Sequence, residues 1–238
     1  IKAGDSMKLG LLIPSSNTTM ETEFWRMAGE WASVHTARMR LQRIIVGELE
    51  EMEEDVLQEA VHLADAGVDV IGYGCTSGSL FKGKGHALQL EKRIAEKTGI
   101  PVVVTAGAVI EALKKLRINK VCVGTPYIEE INILEKKFLE QDEINVLKIK
   151  GLNLVDNRQV GLQDPSIASD LAKEVYLPET QGIFISCTNF RTIEVIDNLE
   201  RELGVPVISS NTATLWSMMR KAGSKKKLNG YGKLILKP

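Results

Sequence analysis

The chain has 238 residues, 44% of them hydrophobic. That is enough for one large domain or two small ones with real cores, unaided by disulfides or metals. Lys and Arg number 30 against 31 Asp and Glu, a net charge of −1, which excludes a basic nucleic-acid surface.

No apolar run reaches transmembrane length and no signal-peptide pattern opens the chain, so neither membrane insertion nor secretion is expected. Residues 1–6 (IKAGDS) precede Met7 without periodicity and read as a vector remnant. In chain order, strands are predicted at Lys8–Ile13, Val34–Arg40, Val68–Tyr73, Pro101–Thr105, Lys120–Gly124, Asn145–Lys150, Gly182–Ser186, Val205–Ser209 and, as a closing strand, Lys233–Leu236. Helices are predicted between them. Val56, Ala60, Leu63 and Ala64 fall at helical spacing with Gly67 as a stop. LQLEKRIAEKTG and IEVIDNLERELG each end at a glycine just before a Val-rich strand. Alternating strands and helices, with uninterrupted apolar strands, predict an α/β fold built on parallel sheet covered on both faces. The run Lys225–Lys227 reads as a solvated turn.

The chain repeats itself. Strand LGLLI runs into Pro14 and SSNTT; strand KVCVG runs into Pro126 and Tyr127. Cys75 stands 61 residues after Pro14, and Cys187 stands 61 residues after Pro126. Matching order and offset predict two pseudo-symmetric lobes facing a cleft: 7–116 with 213–238 around Cys75, and 117–212 around Cys187.

Three scattered cysteines suit a reducing compartment, the cytoplasm, rather than a disulfide framework. A cysteine after an apolar strand is ordinarily a small core residue, and Cys122, inside VCVG, takes that reading. The symmetric placement of Cys75 and Cys187 reverses it for those two. Each is predicted to follow a buried strand and precede a turn that opens a helix, where backbone N–H groups lower a thiol pKa and hold an anion. Thr76 and Ser77 follow one thiol, Thr188 and Asn189 the other, giving neutral donors for a carboxylate. The expected ligand is a small dicarboxylate or amino acid. His35, His62 and His86 lie outside any ligand spacing, so no metal is expected. Ser15–Asn17, Tyr127, Asn157 and Ser209–Asn211 lie at other strand ends, where turn geometry or packing explains them as well as ligand binding does.

The motifs PSSNTTME, GCTSGS, GTPY, VDN, SCTN and SSN, in this order, resemble the maleate cis–trans isomerase family of the aspartate/glutamate racemase superfamily. The resemblance runs from about Met7 to the C-terminus. It implies two α/β lobes, a cofactor-independent site between them and a homodimer. It maps the nucleophilic cysteine onto Cys75, the second cysteine onto Cys187, carboxylate-binding asparagines onto Asn17 and Asn157, and an active-site tyrosine onto Tyr127. Phe190 replaces an expected leucine, and the segment QDEINVLKI lacks an expected glycine. The expected reaction is maleate to fumarate through a Cys75 adduct, with Cys187 moving a proton and Gly78–His86 either a lid or a rigid turn. The competing expectations are an aspartate or glutamate racemase, an arylmalonate-type decarboxylase, and a carboxylate-binding protein without turnover.

Overall fold

The computed structural model describes residues 6–237; apart from Ser6, the expected vector remnant lies outside them. Two four-stranded sheets carry the fold. The first holds β1 (Met7–Pro14), β2 (Ala32–Met39), β3 (Val70–Tyr73) and β4 (Val102–Val104) in the order β2-β1-β3-β4. The second holds β5 (Lys120–Thr125), β6 (Asn145–Gly151), β7 (Gly182–Ile185) and β8 (Val207–Ser209) in the order β6-β5-β7-β8. Every named pairing is parallel. The two orders are identical once β1 is matched to β5, so the internal repeat is a structural one. β3, β4, β7 and β8 are buried along their whole lengths, which accounts for their unbroken apolar sequences.

Among the described residues, ten helices cover the sheets: α1 (Met20–Ala28), α2 (Val46–Asp65), α3 (Thr76–Leu80), α4 (Lys84–Thr98), α5 (Thr105–Lys115), α6 (Glu129–Glu140), α7 (Asn157–Gly161), α8 (Pro165–Val175), α9 (Ile196–Leu203) and α10 (Ser210–Lys221). Their ends carry ordinary local signals. Asp164 caps α8 by accepting from the Ser166 N–H, with Pro165 in the first turn. Gly99 and Gly204 close α4 and α9 in the left-handed conformation, as the glycine stops before the Val-rich strands predict. α5 and α10 leave the equivalent strands β4 and β8 without a loop and pack on each other between the sheets. A Cβ on Gly72 of β3 would lie 2.5 Å from the Met218 sulfur of α10, so that packing depends on a bare backbone.

Two expectations are corrected. Lys233–Leu236 is a turn, not a strand. Its apolar pair Leu234 and Ile235 is buried, but the Lys233 N–H bonds to the Glu200 carboxylate of α9 instead of a strand. And the turn after Cys187 does not open a helix; α9 begins only at Ile196. Of the segment Gly78–His86, Gly78–Phe81 is buried and mostly within α3, while residues 82–85 are exposed or half-exposed. Before β6, where a glycine was expected, Glu143 takes φ +61°, the left-handed backbone that a glycine adopts without strain. Among the described residues, no helix is long and apolar enough to cross a membrane.

Candidate active site

In each sheet the chain order reverses between the two central strands, β1 and β3 in the first, β5 and β7 in the second. Loops leaving the carboxyl ends of such strands diverge and open a crevice. Four of the predicted site residues leave from these four ends: Asn17 after β1, Cys75 after β3, Tyr127 after β5 and Cys187 after β7.

Cys75 is the N-cap of α3. Its sulfur accepts from the Gly78 N–H at 3.3 Å and lies 3.7 Å from the Ser77 hydroxyl. Gly78 is tightly held, since a Cβ there would meet the Tyr73 hydroxyl at 2.8 Å and the Cys75 sulfur at 3.0 Å. Cys187 has φ +91°, an unusual backbone for a residue with a side chain. Bonds on several sides hold it: its N–H donates to the Ser210 hydroxyl at 3.0 Å, its carbonyl accepts from the Phe190 N–H, and its sulfur accepts from the Asn189 N–H at 3.4 Å. The Tyr127 side chain lies close enough to Cys187 to favour its thiolate. The two thiols are near enough that a charge on Cys75 raises the cost of one on Cys187.

Both thiols are more than nine-tenths buried, and this overturns the expected lowering of their pKa. Burial pushes Cys75 up to about 11, against the opposing bonds from Gly78 and Ser77. Burial likewise pushes Cys187 up to about 12, against Tyr127 and Asn189. Desolvation outweighs two hydrogen bonds because neither donor carries a charge. At neutral pH both groups rest as thiols.

The polar residues around them form one buried network across the two halves. Asn17 caps the start of α1, its Oδ1 accepting from the Thr19 and Met20 N–H groups, while its Nδ2 donates to the Thr188 hydroxyl at 3.0 Å. That hydroxyl donates in turn to the Gly74 carbonyl. Asn189 accepts from the Thr18 N–H and donates to the Asn157 carbonyl at 2.6 Å. Asn157 donates to the Ser16 hydroxyl at 2.8 Å. Thr76 donates to the Ser210 hydroxyl, the group that also takes the Cys187 N–H. All nine predicted site residues therefore fall in one cluster. Cys122 lies apart, fully buried in β5 against Thr180, as a core residue should. Among the described residues no group of three or more His, Cys, Asp or Glu side chains could hold a metal ion.

Two buried acids were missed. Glu23 of α1 accepts from the Thr192 and Ile193 N–H groups and from Asn211, so it holds the loop after Cys187. Glu135 of α6 accepts from the Ser186 hydroxyl at 2.6 Å. Burial pushes Glu23 up to about 7 and Glu135 up to about 8. The signal was present: each acid sits on the apolar face of its helix, Glu23 beside Met20, Phe24 and Met27, Glu135 between Ile131 and Phe138.

The sequence pattern of the arylmalonate decarboxylase family matches residues 9–235. A maleate isomerase from Geobacillus stearothermophilus is 28% identical over 96% of each chain. An arylmalonate decarboxylase from Bordetella bronchiseptica is 30% identical over 76% of this chain and 77% of its own. Among solved structures, a Nocardia farcinica maleate cis–trans isomerase, a cysteine-to-serine variant with a covalently bound succinylcysteine intermediate, superposes with a TM-score of 0.93 at 27% identity over 96% of this chain and 98% of its own. With these matches spanning almost every described residue, the chain belongs to the arylmalonate decarboxylase family and is related from end to end to maleate isomerases.

Proposed function

We propose that this protein is an isomerase that converts maleate to fumarate through a covalent adduct on Cys75. One observation carries the reading: two buried thiols leave equivalent strand ends, face each other electrostatically and are ringed by uncharged hydrogen-bond donors. A bound succinylcysteine in the Nocardia relative supports the chemistry.

The steps balance as follows. The Cys75 proton passes to water as the substrate enters, and the thiolate is steadied by the Gly78 N–H and the Ser77 hydroxyl. The sulfur adds to one alkene carbon, and the π pair moves onto the other carbon and its carboxylate. Cys187 delivers its proton to that carbon and becomes a thiolate, which the Tyr127 hydroxyl and Asn189 N–H stabilise. The central C–C bond is now single and rotates. Cys187 takes the proton back, the C–S bond breaks, and fumarate and the Cys75 thiolate return. Asn17, Asn157, Thr76, Ser77, Tyr127, Thr188 and Asn189 serve as the carboxylate donors, because the site has amides and hydroxyls where a charged clamp would otherwise stand.

The donors bond one another, so substrate entry exchanges those bonds for bonds to carboxylate. The reading takes the enzyme as cofactor-independent and cytoplasmic, in keeping with three free thiols. It also takes it as a homodimer of two-lobed chains, divided at 7–116 with 213–238 and 117–212. The test is proton NMR of maleate with wild-type protein and with Cys75→Ala. Fumarate should accumulate with the first and not with the second. Parallel samples of L- and D-aspartate in deuterated water, and of an arylmalonate followed by carbon dioxide release, distinguish a racemase and a decarboxylase. The decarboxylase is favoured as second reading by the family match itself.

A further inference from the structure

Beside Cys187 and against α3, the helix that Cys75 opens, stands a carboxyl that the isomerisation steps do not use. Glu135 is 1% exposed. Its Oε1 accepts one hydrogen bond, 2.6 Å from the hydroxyl of Ser186, the residue before Cys187. Its Oε2 is buried with no hydrogen-bond partner among the described residues. The ionisable groups facing it are Tyr127, from the β5–α6 turn, and Cys187 at the end of β7; Cys75 in turn faces both of these. The other surfaces meeting at this spot come from α3, α5 and β7, which bring Thr76, Leu80, Ala106, Val109 and Phe184. None of them ionises, and no cation is among them.

A carboxylate with one donor, one orphaned oxygen and no counter-charge is costly in a fully desolvated position. A neutral carboxylic acid there costs far less. We propose that Glu135 is a positioning residue for Cys187, whose uncharged carboxyl, held beside the thiol through Ser186, lets Cys187 give up and recover its proton. The electrostatics run the same way. Burial holds the Glu135 carboxyl up to about 8, and a negative charge on it pushes Cys187 further up. Ionised Glu135 therefore makes Cys187 a poorer acid, and the proton delivered to carbon comes more slowly. The inference rests on the isomerase reading only for its kinetic arm.

The kinetic arm measures kcat and KM for maleate against pH. Wild-type kcat should fall by roughly threefold to tenfold as Glu135 ionises, with KM unchanged. Glu135→Gln, neutral at every pH and nearly the same shape, should hold its neutral-pH kcat through that range. An alkaline fall identical to wild type in Glu135→Gln overturns the proposal. The second arm needs no substrate: alkylation of Cys187 by iodoacetamide is followed by peptide mass spectrometry across pH. Its midpoint should move to lower pH in Glu135→Gln, and an unmoved midpoint overturns the proposal. A wild-type protein inert towards maleate overturns the isomerase reading instead, and the alkylation arm still decides this one. Should Glu135→Gln not fold, Ser186→Ala removes the one donor that favours the charged carboxyl. The wild-type fall should then shift to higher pH, and an unshifted fall overturns the proposal.

Discussion

At the scale of single residues, the surprise is that the two thiols proposed to react are poor acids. Strand-end position and neighbouring donors both favour a thiolate, and both were visible in the sequence. What was not visible is that Cys75 and Cys187 are buried to 3% and 5% exposure, because burial depends on the other half of the chain arriving. Tyr127 is then the residue on which the acid chemistry of Cys187 depends most directly, since it opposes the effect of burial there more than any other group. Tyr127→Phe deletes its hydroxyl and little else. A hydrogen bond to a charged group contributes about 1.5–3 kcal/mol, so kcat should drop by about tenfold to a hundredfold. Steady-state kinetics with maleate, with a thermal melt to show the fold intact, check this. Glu23 and Glu135 escaped the sequence reading for a related reason. An acid in a helix is exposed by default, and only the apolar residues at its helical spacing betray it.

At the scale of elements, the strands and their repeat were largely legible, while their order within each sheet was not. Short apolar runs, glycine stops and the 61-residue offset led to two parallel sheets of equal topology. The closing strand failed because its pattern of buried Leu234 and Ile235 is real, yet Lys233 finds its partner on α9 rather than on a sheet edge. Periodicity reports burial of side chains and is silent on where the backbone bonds go. The reach of one glycine is instructive. Gly151 ends β6 directly beneath the turn that carries Tyr127, and a Cβ there would fall 2.1 Å from the Tyr127 carbonyl oxygen and 2.5 Å from the Asn132 amide nitrogen. A backbone atom cannot swing aside as a side chain can. Gly151→Ala should displace the turn, cost about 1–3 kcal/mol of stability, and lower kcat although residue 151 touches no substrate. Chemical denaturation together with turnover measures both.

At the scale of the whole molecule, the buried acids set how stability responds to pH. Glu23 and Glu135 are raised from 4.5 to about 7 and about 8. The folded chain keeps protons that the unfolded chain releases, so stability falls as pH rises from 4.5 towards 8 and does not recover above it. His86, held low mainly by burial, opposes this only below about 6.5. The thiols, raised in the same sense as the acids, enter above about pH 9. Between pH 6.5 and 8.5 the two glutamates dominate. The unfolding free energy from urea titration should therefore drop across that range, by an amount on the order of a few kcal/mol. Glu135→Gln should flatten part of the drop, and equilibrium unfolding at several pH values reads it directly.

The buried network around the thiols has a consequence in time as well as in space. Its bonds join residues far apart along the chain: Asn17 to Thr188 across 171 positions, Asn157 to Ser16 across 141, Thr76 to Ser210 across 134. The strand pairs inside each sheet span much shorter stretches, as from Val70 back to Leu9 or from Gly182 back to Val121. Contacts that close long loops form late. A chain emerging from synthesis completes its first sheet and Cys75 long before Cys187 and α10 exist to cover them. The strained backbone at Cys187 and the burial of both thiols then belong to the last stage of folding. Until that stage, each sulfur lies in water with an ordinary thiol's reactivity, and oxidation has its opening.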